Sequence, residues 1–217
     1  MPLPTIRYQH TRRTAAESLA EATGFCERMR SRRSVRNFSS EPIPLAAVEK
    51  AIEAANSAPS GANKQPWTFV LVTDEDLKRQ IRVAAEQEEE AFYSGGAPTR
   101  WLADLEPLGT NAHKPYLALV PALIVVFAQK HGSQENERHY YVAESVGIAV
   151  GFLLAALHHA GFATLTHTPS PMDFLRRILR RPENERAFCV IPVGYPTADC
   201  QVPDIAKKTL EEVLVRM

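Results

Sequence analysis

Cysteine is scarce in this chain of 217 residues, with only Cys26, Cys189 and Cys200. Three scattered thiols build neither a disulfide framework nor a zinc cluster, and they point to a reducing, cytoplasmic setting. Net charge is missing as well, because Lys+Arg and Asp+Glu balance at 25 each. No global field draws the chain to nucleic acid or to a membrane surface, so any anion must be held by a local cluster. The N-terminal MPLPTIRYQHTRR carries charge but no apolar core, which argues against a signal peptide. The longest apolar run, VGIAVGFLLAAL over 146–157, falls short of the roughly 20 residues that span a bilayer. It predicts a buried helix. The dinucleotide fingerprint GxGxxG and the P-loop are both absent, no His, Asp or Glu spacing matches a metal site, and there is no nucleophile elbow.

What is present is ordinary globular material, 45% hydrophobic and 23% charged, without repeats, low-complexity tracts or an internal linker. The chain reads as one domain over 1–217. Helical spacing predicts helices over 14–30, 42–57, 74–93, 138–160 and 171–180, and an amphipathic tail in KKTLEEVLVRM. Strands are expected at WTFVLVT (67–73), PALIVVFAQ (121–129), FATLTHT (162–168) and AFCVIPVGYP (187–196). The second of these is apolar throughout, as in a strand covered on both faces. An α+β or α/β three-layer core follows. The 138–160 helix is apolar nearly all round from Val146 to Leu157, with Gly147 and Gly151 four apart. That is more apolar surface than one subunit of this size buries, and it points to a second subunit.

Three short constellations could carry chemistry. SRRSVRNFS (31–39) sets Arg32, Arg33 and Arg36 beside Ser34. Guanidinium forks suit phosphate oxygens, although a solvated basic helix end reads the same way. APSGANKQPW (58–67) is a turn in which Gly61 would let the backbone approach a ligand, with Ser60 and the N–H groups of Gly61 and Ala62 as donors; it is equally a plain helix-to-strand connection. THT (166–168) ends a strand with alternating hydroxyls around His167. A fourth stretch, EQEEEAFYSGGAPTRWLADLEPLGTNAHK (86–114), carries a Trp and several Leu through turn-rich sequence.

In this order the pieces resemble the flavin-dependent nitroreductase superfamily, and within it the iodotyrosine deiodinases and their bacterial homologues. The matching motifs are RRSVR at 32–36, APSGA followed by QPWTFV, EEE with Tyr93, RW and DL ahead of a Lys, and HYY with ES opening the apolar helix; T.T.TP, IPVGYP and VPD with Lys207 complete them. The resemblance implies an α+β nitroreductase-like FMN-binding fold, with a central mixed sheet surrounded by helices. It implies an intertwined homodimer with FMN at each subunit interface. Arg32, Arg33, Ser34, Val35 and Arg36 would hold the flavin phosphate and ribityl chain, joined by Ser60, Gly61, Thr166, His167 and Lys207. Thr168 would hydrogen-bond flavin N5 and favour one-electron steps. The cofactor carries the difficult chemistry and the protein orients it.

By the same resemblance, 89–114 is a substrate lid, 1–24 an N-terminal arm and helix start, and 200–217 a C-terminal extension. Glu89 would take the α-ammonium of a halotyrosine, Tyr93 and Lys114 its α-carboxylate, and the Ala62 N–H its phenolate oxygen. Gly95 and Gly96 would let the lid open, while Trp101, Leu102 and Leu105 would pack on closure. The expected reaction is reduction of 3-iodotyrosine to tyrosine and iodide, with NAD(P)H or another reductant as electron donor. Alternatives are a broad NAD(P)H-dependent nitroreductase or quinone reductase, and a flavin-binding protein without turnover. Two residues depart from the animal members of the family: Lys207 stands where they carry Arg, and His167 where they carry Thr. The membrane anchor of those animal members is not expected in this chain.

Overall fold

A computed structural model of the chain describes residues 3–134 and 136–217, in two compact units that divide between Arg32 and Arg33. The first unit is dominated by α1 (Ala15–Ser31). A capping box starts it: Thr14 Oγ1 accepts from the Glu17 N–H, and the Glu17 carboxylate accepts from the Thr14 N–H. No residue of α1 is buried, and Leu19 and Phe25 are exposed.

The second unit is built on four strands, β1 (Trp67–Val72), β2 (Ala122–Gln129), β3 (Ala163–Thr164) and β4 (Glu185–Gly194), in the order β1-β2-β4-β3. These strands pair antiparallel throughout. The parallel component of the expected mixed sheet reduces, among the described residues, to one bridge between Ser34 and Thr164. It can extend no further because β3 ends at Thr164. The expected strand 162–168 is likewise interrupted: Leu165 and Thr166 leave the ladder, and His167 rejoins it through paired bonds with Val190 (2.9 and 2.8 Å).

The apolar run of β2 is explained by its two faces. Ala122, Ile124 and Val126 point into one core with α2 (Leu45–Asn56) and α6 (Val142–His159). Leu123, Val125 and Phe127 point into the other, with α3 (Glu75–Ala91), α5 (Tyr116–Leu119) and α7 (Asp173–Ile178). Period-2 alternation between two covered faces leaves no place for a polar residue. A bulge skips Phe188, so Val126 faces Cys189 while Phe127 faces Ala187.

α6 runs longer than its apolar stretch suggests and would suffice by length and composition to cross a bilayer. Its packing makes it a core helix instead: Val146, Ala149, Val150, Leu153 and Leu157 are buried in the first core. Its opposite face is exposed and apolar. Gly147, Ile148, Gly151 and Phe152 lie there, and a Cβ added to either glycine would meet nothing. The tail forms only the single turn α8 (Leu210–Val213), closed by a capping box from Thr209.

Candidate active site

One cavity of about 210 Å³ collects Arg36, Glu89, Tyr93, Lys114, Thr166, His167 and Thr168. The C-terminal part of α3 supplies its acidic side. Asp74 caps the start of that helix by accepting from the Leu77 N–H (2.8 Å). At the other end Glu86, Glu89 and Tyr93 share a face by their three- and four-residue spacing. Beyond Ala91 the helix widens into a π-turn over Phe92–Gly96. Gly95 at φ 126° reverses the chain there, a conformation that side-chain-bearing residues avoid. The segment expected as a lid then continues as α4 (Thr99–Leu105). Trp101 is half exposed and sets its ring edge-on to Phe92 at 5.1 Å, while Leu105 lines the cavity.

Lys114 is brought to α3 twice. Its backbone N–H donates to Glu86 Oε1 at 2.7 Å, the same oxygen that accepts from Arg82 Nε at 2.9 Å. Its side chain, only 4% exposed, sets Nζ 3.2 Å from Glu89 Oε2. Nζ also donates to Thr110 Oγ1 (3.1 Å) and lies 5.8 Å from the centre of the Tyr93 ring. Burial lowers the pKa of Lys114, against the opposing pull of the Glu89 carboxylate; Arg36 adds to the lowering. Such a pair is costly to desolvate, and its burial in a cavity makes it a functional-site candidate.

His167 faces the same carboxylate from the other side, with Nδ1 4.0 Å from Glu89 Oε1. This contact is not an ion pair. Burial first, then the charges of Lys114 and Arg36, drive the imidazole pKa down to about 3, so the ring is neutral. Its Nε2 is buried with no hydrogen-bond partner among the described residues. Tyr116 packs edge-on to it at 6.0 Å, and burial raises the Tyr116 pKa, which keeps the phenol protonated. On either side of His167, Thr166 and Thr168 are exposed.

Other residues assigned from the sequence lie outside this cavity. The turn of Ser60, Gly61 and Ala62 is held apart, at the start of α6: the Gly61 N–H donates to Ser145 Oγ at 3.4 Å and the Gln65 N–H to Ser60 Oγ at 2.9 Å. The gap expected for a ligand at Gly61 is filled by the chain, since a Cβ there would sit 2.9 Å from the Tyr140 carbonyl oxygen. Ala62, Asn63 and Gln65 all adopt positive φ. Each such residue costs on the order of 1–3 kcal/mol, and strain of this kind gathers at binding sites. Ser34 is exposed, Val35 is buried with its N–H on the Thr164 carbonyl (3.0 Å), and Arg33 Nη2 donates to the Pro203 carbonyl, tying the tail to this segment. Lys207 is exposed. Arg32 belongs to the first unit, where its N–H caps α1 through the Met29 carbonyl (3.2 Å).

Sequence reasoning missed Glu86, Thr110 and Tyr116. Thr110 and Tyr116 flank Lys114 by four and two positions, so scanning outward from Lys114 would have found them. Glu86 acts across 28 residues of chain and has no local signal.

The chain is similar to known proteins over most of its length. A model of the nitroreductase family matches residues 29–195. An iodotyrosine deiodinase from Haliscomenobacter hydrossis is 52% identical over 92% of this chain and 91% of its own length. Iodotyrosine deiodinase 1 of Rattus norvegicus is 44% identical over 97% of this chain and 75% of its own. A crystal structure of oxidized iodotyrosine deiodinase bound to FMN and 3-iodo-L-tyrosine superposes with a TM-score of 0.78 at 34% identity, over 88% of this chain and 97% of that one. A family match across most of the chain, with relatives this similar over nearly all of it, means that the chain belongs to the nitroreductase family and groups within it with the iodotyrosine deiodinases.

Proposed function

We propose that this protein is an FMN-dependent reductive dehalogenase of halotyrosines that converts 3-iodotyrosine, two electrons and a proton into tyrosine and iodide. The observation that carries the reading is the buried pair of Glu89 and Lys114 in one cavity with Tyr93. An amino acid zwitterion brings an ammonium for Glu89 and a carboxylate for Lys114. It exchanges one internal ion pair for two intermolecular ones and strands neither charge. The Tyr93 hydroxyl is a further partner for the carboxylate. Phe92, Trp101 and Leu105 give the lid an apolar lining that would exclude water over the bound amino acid.

The residues present fit FMN. Thr166 and Thr168 are exposed residues that line the cavity, and Arg36 is part of its wall. Arg32, Arg33 and Lys207 would serve the phosphate and Thr168 the flavin ring. When bound, FMN supplies the reducing equivalents for cleavage of the carbon–halogen bond. NAD(P)H or a reductase partner would in turn reduce it.

The working unit in this reading is a homodimer. The exposed apolar face of α6, with two glycines that leave room for a close neighbour, supports a second copy of the chain as its cover. A dimer would also account for the Ser60–Ala62 turn: it lies outside the cavity of its own chain, and as a neighbour of α6 it could reach the site of its partner. The free thiols fit a reducing, cytoplasmic setting.

The deciding experiment is anaerobic. FMN-loaded protein reduced with dithionite is mixed with 3-iodo-L-tyrosine, and iodide release is followed alongside flavin reoxidation. Stoichiometric iodide is expected. If iodotyrosine leaves the flavin spectrum unmoved and no iodide appears, the reading is wrong; turnover of nitroaromatics alone would make the protein a nitroreductase.

A further inference from the structure

We propose that His167 is a positioning residue for the amino acid clamp, an imidazole whose Nδ1–H steadies the Glu89 carboxylate when a bound zwitterion draws Lys114 away. The inference rests on the reading of Glu89 and Lys114 as the ammonium and carboxylate sites. It gives His167 a task directed at the clamp and not at the flavin.

The two oxygens of Glu89 face different groups. Oε2 meets Lys114 Nζ at 3.2 Å, and Oε1 meets His167 Nδ1 at 4.0 Å. Once the carboxylate of the ligand engages Lys114, Glu89 loses that anchor. It then stands one turn before the π-turn at the end of α3, and among the described residues His167 is the side chain left facing its oxygens. His167 Nδ1 is already within about 1 Å of hydrogen-bond length, so a small rotation of the carboxylate closes the contact.

The imidazole is suited to this because it cannot follow the carboxylate. Both its backbone N–H and its carbonyl are bonded to Val190, and Tyr116 stands edge-on to the ring. Its neutrality matters equally. A Lys or Arg in this position would neutralise Glu89 and compete with the ligand's ammonium, whereas a neutral donor orients the carboxylate and leaves its charge available. The tautomer follows from the surroundings. With the proton on Nδ1, the buried and unpartnered Nε2 is a lone acceptor; with the proton on Nε2, a donor would be stranded there instead, which native proteins tolerate less.

Two measurements test the assignment. Nitrogen-15 NMR of the ligand-free protein reads the His167 tautomer directly: the Nδ1–H form is expected, and the Nε2–H form overturns the proposal. Kinetics then compare 3-iodo-L-tyrosine with 2-iodophenol, which lacks the ammonium, in the wild type, His167→Leu and His167→Asn. His167→Leu should lower kcat/KM for iodotyrosine relative to iodophenol by roughly ten- to a hundredfold, through KM, as expected for one hydrogen bond to a charged group. His167→Asn, which keeps a neutral donor, should regain most of that ratio. A fall shared equally by both substrates, or no rescue by Asn, overturns the proposal. If the wild type releases iodide from neither compound, the dehalogenase reading fails. The affinity for L-tyrosine, followed by flavin fluorescence, then still decides the role of His167, because the Asn variant must bind more tightly than the Leu variant.

Discussion

Removing the charge of Glu89 should destabilise the fold as well as disarm the proposed clamp, and the two losses can be separated. Glu89→Gln leaves the Lys114 ammonium, in a side chain 4% exposed, with Thr110 as its remaining close partner. Breaking a buried pair by removing one member costs roughly 3–5 kcal/mol when the survivor stays charged. Two features reduce that here. Thr110 still accepts a hydrogen bond, and Lys114, whose pKa burial already lowers, can shed its proton once the opposing Glu89 charge is gone. The expected loss at neutral pH is therefore about 2–3 kcal/mol. Lys114→Met in the Glu89→Gln background removes the stranded charge and should restore about half of it, with binding of the amino acid still lost. The sign of the pH dependence follows from linkage. In the folded Glu89→Gln variant Lys114 holds its proton less tightly than in the unfolded chain, so the unfolded state binds more protons in the window below the ordinary lysine pKa. Stability must then rise as pH increases through that window. Urea unfolding of the two single variants, the double variant and the wild type, at neutral and alkaline pH and fixed saturating FMN, supplies the cycle. A loss within roughly 0.5 kcal/mol for Glu89→Gln, the size of an ordinary surface substitution, would refute the buried-pair argument. So would the absence of any alkaline recovery.

Three further outcomes are expected. His167 is neutral when folded, with its pKa at about 3, and its unfolded form takes up a proton below the ordinary value of 6.5. Wild-type stability should fall by as much as roughly 1.4 kcal/mol per pH unit below that point, and His167→Asn should flatten this acid limb in urea titrations. Gly61→Ala would set a Cβ 2.9 Å from the Tyr140 carbonyl oxygen, so it should lower the thermal midpoint by the equivalent of about 1–3 kcal/mol; an unchanged midpoint would mean that the 60–65 turn moves freely. Native protein treated with a thiol reagent should react at exposed Cys26, whereas Cys189, fully buried and with its thiol pKa pushed up to about 12, should be labelled only after unfolding.

How much of this was legible in the sequence depends on how far each interaction reaches along the chain. Asp74 before an amphipathic run announces the start of α3, and Glu89 and Tyr93 share a helical face by spacing alone. The apolar stretch 121–129 signals a strand covered on both sides, which β2 is. Each of these depends on neighbours within a turn or two. The burial of Lys114 does not, because it is produced by Glu86 and Glu89 acting from 28 and 25 residues away in sequence. Nor could spacing reveal that β3 would shrink to two residues, since that depends on where the ladder with β4 is interrupted. The Ser60–Ala62 turn carries the same lesson one level higher. Resemblance assigns it to the same site as Glu89, yet within one chain it lies outside the cavity, beside an apolar helix face that the chain itself does not cover. Motif order along a sequence does not say which copy of the chain supplies each motif. The homodimer proposed above would satisfy the turn and the uncovered face together; in that reading, replacing Gly151 with Trp should weaken both self-association and FMN retention, whereas a site complete within one chain would lose only the first.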